Sequence, residues 1–122
     1  MNIIITHSSG FNFKKDLYAP IRSSELNKLH NFYLPQEMGM EKITKELIKN
    51  ADLIFAEVSY PSTGQGIELG WADMMGKNII YFYKSGTKPS GALSNLTKNM
   101  IEYKDQEDLI SKLGEEIKNG TN

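Results

Sequence analysis

The stretch "ADLIFAEVSYPSTGQGIELGWADMMGKNII", residues 51–80, carries the reading of the fold. It opens on an apolar run, Asp52 to Val58, of the length and composition of a buried strand. A loop with Pro61, Ser62, Gly64 and Gly66 follows. Ile67, Trp71, Met74 and Met75 then recur at helical spacing, and Gly76 suits a helix C-terminus. Asn78 to Tyr83 is a second apolar run. A strand, a helix and another strand in this order are the mark of a parallel sheet, because the helix supplies the crossover.

The same alternation extends in both directions. Ile3, Ile4 and Ile5 form a short β-branched run, expected of a strand buried on both faces. Phe13, Leu17 and Ile21 stand at spacing four and predict a helix, with Pro20 inside it as a kink or an early stop. Phe32 to Leu34 is a short second strand closed by Pro35. Met40, Ile43 and Leu47 predict a second helix. Beyond Tyr83, "KSGTKPSG" has loop composition. A short helix is expected over Ala92 to Leu96 and a fifth strand over Met100 to Tyr103. The last helix is expected to open at Asp105, with Glu107 and Asp108 in its first turn and Leu109, Ile110, Leu113 and Ile117 along its packed stripe. The terminal "NGTN" is expected to fray.

These elements predict a single α/β domain over residues 1–122: a flavodoxin-like, five-stranded parallel sheet in the order 2-1-3-4-5 with helices on both faces. Such sheets bind ligands beyond the carboxyl ends of their strands, at the switch point beside strand one. Three loops fall there: "HSSG" after strand one, "LPQE" after strand two and "SYPSTGQG" after strand three.

Composition narrows the function classes. The 122 residues carry 14 basic and 15 acidic side chains, a net charge of −1, so no nucleic-acid backbone footprint is implied. There is no cysteine, which excludes disulfides, thiol catalysis and thiolate metal sites. With two histidines, a zinc site is not expected. No run approaches the roughly 18 apolar residues of a membrane span, and "MNIIITHSSG" has no basic region ahead of its apolar residues. The reading is a soluble cytoplasmic protein with a small-molecule ligand and neither metal nor cofactor.

At the third loop, Ser62 or Thr63 can cap the helix, and Gly64 and Gly66 let a ligand approach the backbone. Free amides at a helix start favour an anion such as phosphate. Glu68 follows Gly64 by four residues, so both share a helix face, and its side chain leans back toward the loop. It can act as a nucleophile at an anomeric carbon or merely complement the helix dipole, worth about 0.3–1 kcal/mol. Ser8, Ser9 and Gly10 offer hydroxyls and backbone to a phosphate or ribose, or a helix cap and turn. His7 can be an acid or base, or structural. Glu37 would stand over the same cleft or be a solvated acid. Glu57, ending strand three, must be exposed or paired. Phe11, Phe13 and Tyr60 can stack on a base. Trp71 and the methionines suit a core or a dimer interface.

Residues 51–80 resemble the core of the nucleoside 2-deoxyribosyltransferase family, in particular its 2′-deoxynucleoside 5′-monophosphate N-glycosidase branch. The similarity rests on Ala56-Glu57-Val58 followed by Pro61-Ser62-x-Gly64-x-Gly66-x-Glu68-Leu69-Gly70. It implies cleavage or transfer at an N-glycosidic bond of a nucleoside or nucleoside 5′-monophosphate, with Glu68 as nucleophile. It also implies that Ser62, Gly64, Gly66 and Ser8 hold the 5′ end, and that Ser94 comes from a partner subunit of a homodimer or larger assembly. Three positions depart from the pattern. Ile4 stands where the family has an aromatic hydroxyl, and Ser9 or Gly10 where the branch has an arginine. Thr44 stands where a second-helix aspartate helps the base depart; Glu37, Glu41 and Lys14 are the nearby groups that could replace it. The opening "ITHSSGFNFKKDLYAPI" also resembles TIR domains, which implies a signalling module or an NAD-cleaving one. A nucleotide-binding sensor without turnover is the third reading.

Overall fold

The computed structural model describes residues 1–39 and 41–120. Its strands are β1 (Asn2–His7), β2 (Asn31–Tyr33), β3 (Leu53–Glu57), β4 (Ile79–Lys84) and β5 (Ile101–Tyr103). They form one sheet in the order β2-β1-β3-β4-β5, every pair parallel, as expected. The register sets Ile3 beside Leu53 and His7 beside Glu57. Strand order reverses at β1, so β1 and β3 share the sheet's centre and the loops after them share one edge.

The helices are α1 (Ala19–Arg22), α2 (Leu26–Leu29), α3 (Lys45–Lys49), α4 (Thr63–Met74) and α5 (Gln106–Gly120). The sheet divides two cores. Ile3, Ile5, Phe55 and Phe82 pack with Leu17 and Ile21 on one face, where α5 adds Leu109, Leu113 and Ile117. Ile4, Ile54 and Ala56 pack with Ile48 of α3 and with Leu69 and Ala72 of α4 on the other. Consecutive residues of one strand thus face different cores, as the period of two requires.

Several sequence expectations need correction. The Phe13–Leu17–Ile21 stripe is helical and changes type ahead of Pro20: a π-helical turn, Lys14–Tyr18, runs directly into α1, which ends at Arg22. The Ala19 amide reaches back to the Lys14 carbonyl, the five-residue step of a π-turn, just ahead of Pro20, which has no amide to continue the ladder. α2 was not foreseen. The second helix is shorter than its stripe: α3 begins after Thr44, whose Oγ1 accepts the Leu47 amide at 3.2 Å. Met40 lies outside the described residues. α5 continues through Asn119 and Gly120, which were expected to fray; Thr121 and Asn122 lie outside the described residues. Its expected cap holds, since Asp105 Oδ1 accepts the Asp108 amide at 2.8 Å.

The orientation of α4, left open between core and dimer interface, is resolved only in part. Its buried residues are Gln65, Leu69 and Ala72. Of the apolar stripe, Ile67 and Met75 are exposed and Met74 is 87% exposed, whereas Trp71 is partly buried against the core on that face. The C-terminus is closed by Gly76 at φ 69°, whose amide reaches the Asp73 carbonyl while that of Lys77 reaches Ala72. This is a Schellman closure, in which a glycine takes the left-handed conformation. No helix among the described residues is long and apolar enough to cross a membrane.

Candidate functional site

At the end of β1, two neighbouring side chains point to opposite faces. Thr6 turns toward α4, where its Oγ1 accepts from Gln65 Nε2 at 3.1 Å. His7 turns toward the π-helical turn, 4.5 Å between ring centroids from Phe13 and 5.2 Å from Tyr18. Its Nδ1 lies 2.7 Å from the Ser8 carbonyl and its Nε2 2.5 Å from the Tyr18 hydroxyl. The carbonyl can only accept, so Nδ1 carries the proton and Nε2 accepts from Tyr18. Tyr18 in turn accepts the Gln36 amide at 3.2 Å. Burial lowers the His7 pKa, which agrees with this neutral tautomer. The chain of bonds ties the loops after β1 and β2 to one imidazole.

Ser8 is buried, and its Oγ accepts the Gly10 amide at 3.0 Å, closing the turn. A side chain at position 10 would meet that hydroxyl at 3.2 Å, so glycine keeps the turn tight. Ser9 is exposed beside it. Glu37, read as a possible ribose or base contact, has both oxygens engaged: Arg22 Nε donates to Oε2 at 2.9 Å and Nη2 to Oε1 at 2.8 Å. The same guanidinium donates to Asn27 Oδ1 at 2.9 Å and to the Phe32 carbonyl at 3.1 Å. The Arg22 hydrogen bond holds the Glu37 carboxyl below its usual range. Arg22→Ala is expected to lower unfolding free energy by about 1–2 kcal/mol in urea titrations. Arg22→Lys should recover less than half of that, because an ammonium cannot reproduce the fork.

The start of α4 is the best-anchored part of this edge. Ser62 takes the N-cap, its Oγ accepting the Gln65 amide at 3.4 Å. Gln65 is buried and donates from Nε2 to both Thr6 Oγ1 and the Glu57 carbonyl, the latter at 2.8 Å. One amide therefore bolts the helix start to the ends of β1 and β3. Sequence reading missed it, although a lone amide between two glycines at the third helical position was a usable signal. Gly64, Gly66 and Gly70 need no unusual φ, and a side chain at any of them would meet nothing within 4 Å. Glycine in a helix costs roughly 0.5–1 kcal/mol relative to alanine. Among the described residues no contact requires glycine at these three positions.

Glu68 follows one turn after Gln65. It is half-buried and makes no hydrogen bond or ion pair among the described residues. Burial pushes its carboxyl up to about 7. Thr44, where the resemblance would place an aspartate, has its side chain taken up by the α3 cap.

The candidate residues are only partly brought together. A cavity of about 370 Å³ lies at the α4 start, lined by Ser62, Gln65 and Gly66 and by Ser90 and Leu93 from the β4–β5 connection. Ser8, Glu37 and Glu68 do not line it. Ser94 is exposed on the 3₁₀ turn Gly91–Asn95, its hydroxyl donating to the Gly91 carbonyl at 2.8 Å. Glu57 is buried on the other face of the sheet. It accepts the Ser59 amide and hydroxyl, each at 2.8 Å, and the Tyr103 hydroxyl. His30 sits at the amino end of β2, away from this edge, against the chain's N-terminus. Among the described residues, no group of three His, Asp or Glu side chains could hold a metal ion.

A five-stranded parallel sheet in this order, with open loops after β1 and β3, is a doubly wound α/β domain whose ligand edge lies at the strands' carboxyl ends. Among solved structures, the chain is similar to the CMP N-glycosidase BcmB of Clostridium botulinum, with a TM-score of 0.65 and 24% identity. The match covers 93% of this chain and 99% of that one, so the two share a fold from end to end. No family model matches the sequence. No curated protein matches it either.

Proposed function

We propose that this protein cleaves or transfers at the N-glycosidic bond of a nucleoside or nucleoside 5′-monophosphate, with Glu68 as the nucleophile. The observation that carries this reading is Glu68 itself: a half-buried carboxyl without a partner among the described residues, one turn along a helix whose start is clamped to the sheet and whose glycines leave its surface bare. The shared fold with a CMP N-glycosidase supports the same reaction class. In the reaction, a Glu68 oxygen bonds to the anomeric carbon as the C–N bond breaks. The base leaves with the bonding electrons and takes up a proton. Water, or a second base, then attacks the same carbon and frees the carboxylate. The α4 amides with Ser62, Gly64 and Gly66 hold the 5′ end, and Ser8, Ser9, Gly10 and Glu37 border the sugar and base. The outward stripe of Ile67, Met74 and Met75 supports a homodimer, in which Ser94 of one copy completes the site of the other. The compartment proposed is the cytoplasm.

The test is incubation with deoxynucleosides, their 5′-monophosphates, ribonucleotides and NAD, followed by detection of free base. Release from a nucleoside or monophosphate supports the proposal. Tight nucleotide binding with no release at any pH would make the protein a sensor, and release from NAD alone would favour the TIR-like reading.

The raised Glu68 pKa predicts two pH effects of opposite sense. A nucleophile must be ionised, so the rate of release should climb as pH passes through about 7. Stability should run the other way. A carboxyl raised from 4.5 to about 7 favours the fold below pH 4.5, and that contribution is lost as pH rises through about 7. The urea midpoint should therefore fall between about pH 5 and about pH 8, and Glu68→Gln should remove that part of the fall.

A further inference from the structure

A second cavity, of about 430 Å³, lies across the sheet from α4, against the carboxyl ends of β3, β4 and β5. Its size falls within the range of small-ligand sites. Glu57, Ser59 and Tyr103 line it, each almost completely buried, on the face that packs α1 and α5. Tyr60 lines both this cavity and the one at the α4 start, but Glu68 does not line it, so the inference does not rest on the nucleophile proposed above.

The donors and acceptors of this lining define what fits. An ionised carboxylate has about four lone-pair positions. Three at Glu57 are filled, by the Ser59 amide on Oε1 and by the Ser59 and Tyr103 hydroxyls on Oε2. Ser59 Oγ also accepts the Lys84 amide at 2.8 Å. The Tyr103 proton is committed to Glu57. The floor therefore offers acceptors and no free hydroxyl proton: one position on Glu57 Oε1 and the remaining lone pairs of Ser59 Oγ and Tyr103 Oη, so a ligand must present a donor. The side wall is aromatic: Phe11 and Tyr60 lie 5.2 Å apart between centroids, and a planar ligand can stack on either. Charge sets a further condition. Asp16, Glu57, Asp105 and Glu107 face only Lys84 and Lys104, which disfavours an anion such as a phosphate ester. A metal ion is not the complement either, for want of a converging group of ligands among the described residues.

We infer that this cavity binds a planar nitrogen heterocycle, neutral or protonated, that donates an amino or ring N–H to Glu57 and stacks on Phe11 or Tyr60. A free nucleobase and nicotinamide share this chemistry, whereas their phosphorylated nucleosides lack its charge match.

The test is a two-dimensional amide NMR titration of the whole chain with cytosine, adenine and nicotinamide, and with CMP as the anionic control. Saturable shifts are expected at Ser59, Tyr60 and residues 103–107 for at least one heterocycle, with CMP at least tenfold weaker at those amides. Glu57→Gln, which removes the anionic acceptor, and Phe11→Leu should each weaken the heterocycle about tenfold, equivalent to about 1.4 kcal/mol. Glu68→Gln should leave the shifts at Ser59 and residues 103–107 unchanged. If Glu57→Gln does not fold, Phe11→Leu carries the comparison alone. The assignment is overturned by absence of saturable shifts, by shifts confined to residues 62–68, by CMP binding more tightly at this site, or by folded variants that bind as the parent does.

Discussion

Glu68→Ala is expected to cut release of free base by about 10³-fold or more, the scale of loss when an attacking group is removed and only binding and positioning remain. The fold should survive the change. Glu68 makes no hydrogen bond or ion pair among the described residues, and burial penalises its charge, so alanine removes a cost at neutral pH and above. Thermal midpoint and catalysis should therefore separate: the first unchanged or slightly raised, the second lost. Glu68→Gln should behave similarly, since an amide of the same shape cannot form the glycosyl ester. A parent-like rate in either variant would place the nucleophile elsewhere. A low rate accompanied by unfolding would make Glu68 a structural residue.

The second large effect belongs to the core. Phe55→Ala should cost about 3–5 kcal/mol. Phe55 is fully buried at the middle of β3 and stacks on Phe82 of β4, with centroids 4.8 Å apart and planes 22° from parallel. Strands bonded on both sides cannot move together to fill the space that alanine would leave. Since total stabilities run about 5–15 kcal/mol, this is a large share of what holds the domain. Guanidinium unfolding should show a lowered midpoint at constant slope. Phe55→Leu, which keeps most of the volume, should cost less than half as much. Equal losses for the two would mean that aromatic stacking, rather than filled volume, dominates there.

Strand order was legible because buried parallel strands are written as β-branched and aromatic runs, and right-handed crossovers leave few ways to connect them. The same pattern left the orientation of α4 open. Spacing tells which residues share a helix face, but not which face turns inward. The inward face carries Gln65 because the ends of β1 and β3 present a hydroxyl and a carbonyl there, and those ends meet only after folding. Ser62 and the glycines could be read from the loop. The engagement of Glu37 by Arg22, and of Glu57 by Tyr103, could not, since each pairs residues far apart in sequence or on different elements. Thr44 illustrates the reverse: a residue counted into a helix by its stripe is the cap that begins it.

The alternation at the end of β1 has a consequence for how the chain finds its pairing. Thr6 serves the amide of α4, and His7 serves the hydroxyl of the π-helical turn. A shift of one residue would exchange them, because side chains alternate between faces. An imidazole would then meet Gln65, a threonine would stand among Phe13 and Tyr18, and both hydrogen-bonded networks would fail together. Apolar residues cannot police such an error at Ile3, Ile4 and Ile5, which are alike on either side. The polar pair that follows makes a misaligned β1 recognisable as wrong, so the strand carries its own proofreading mark at its last two residues.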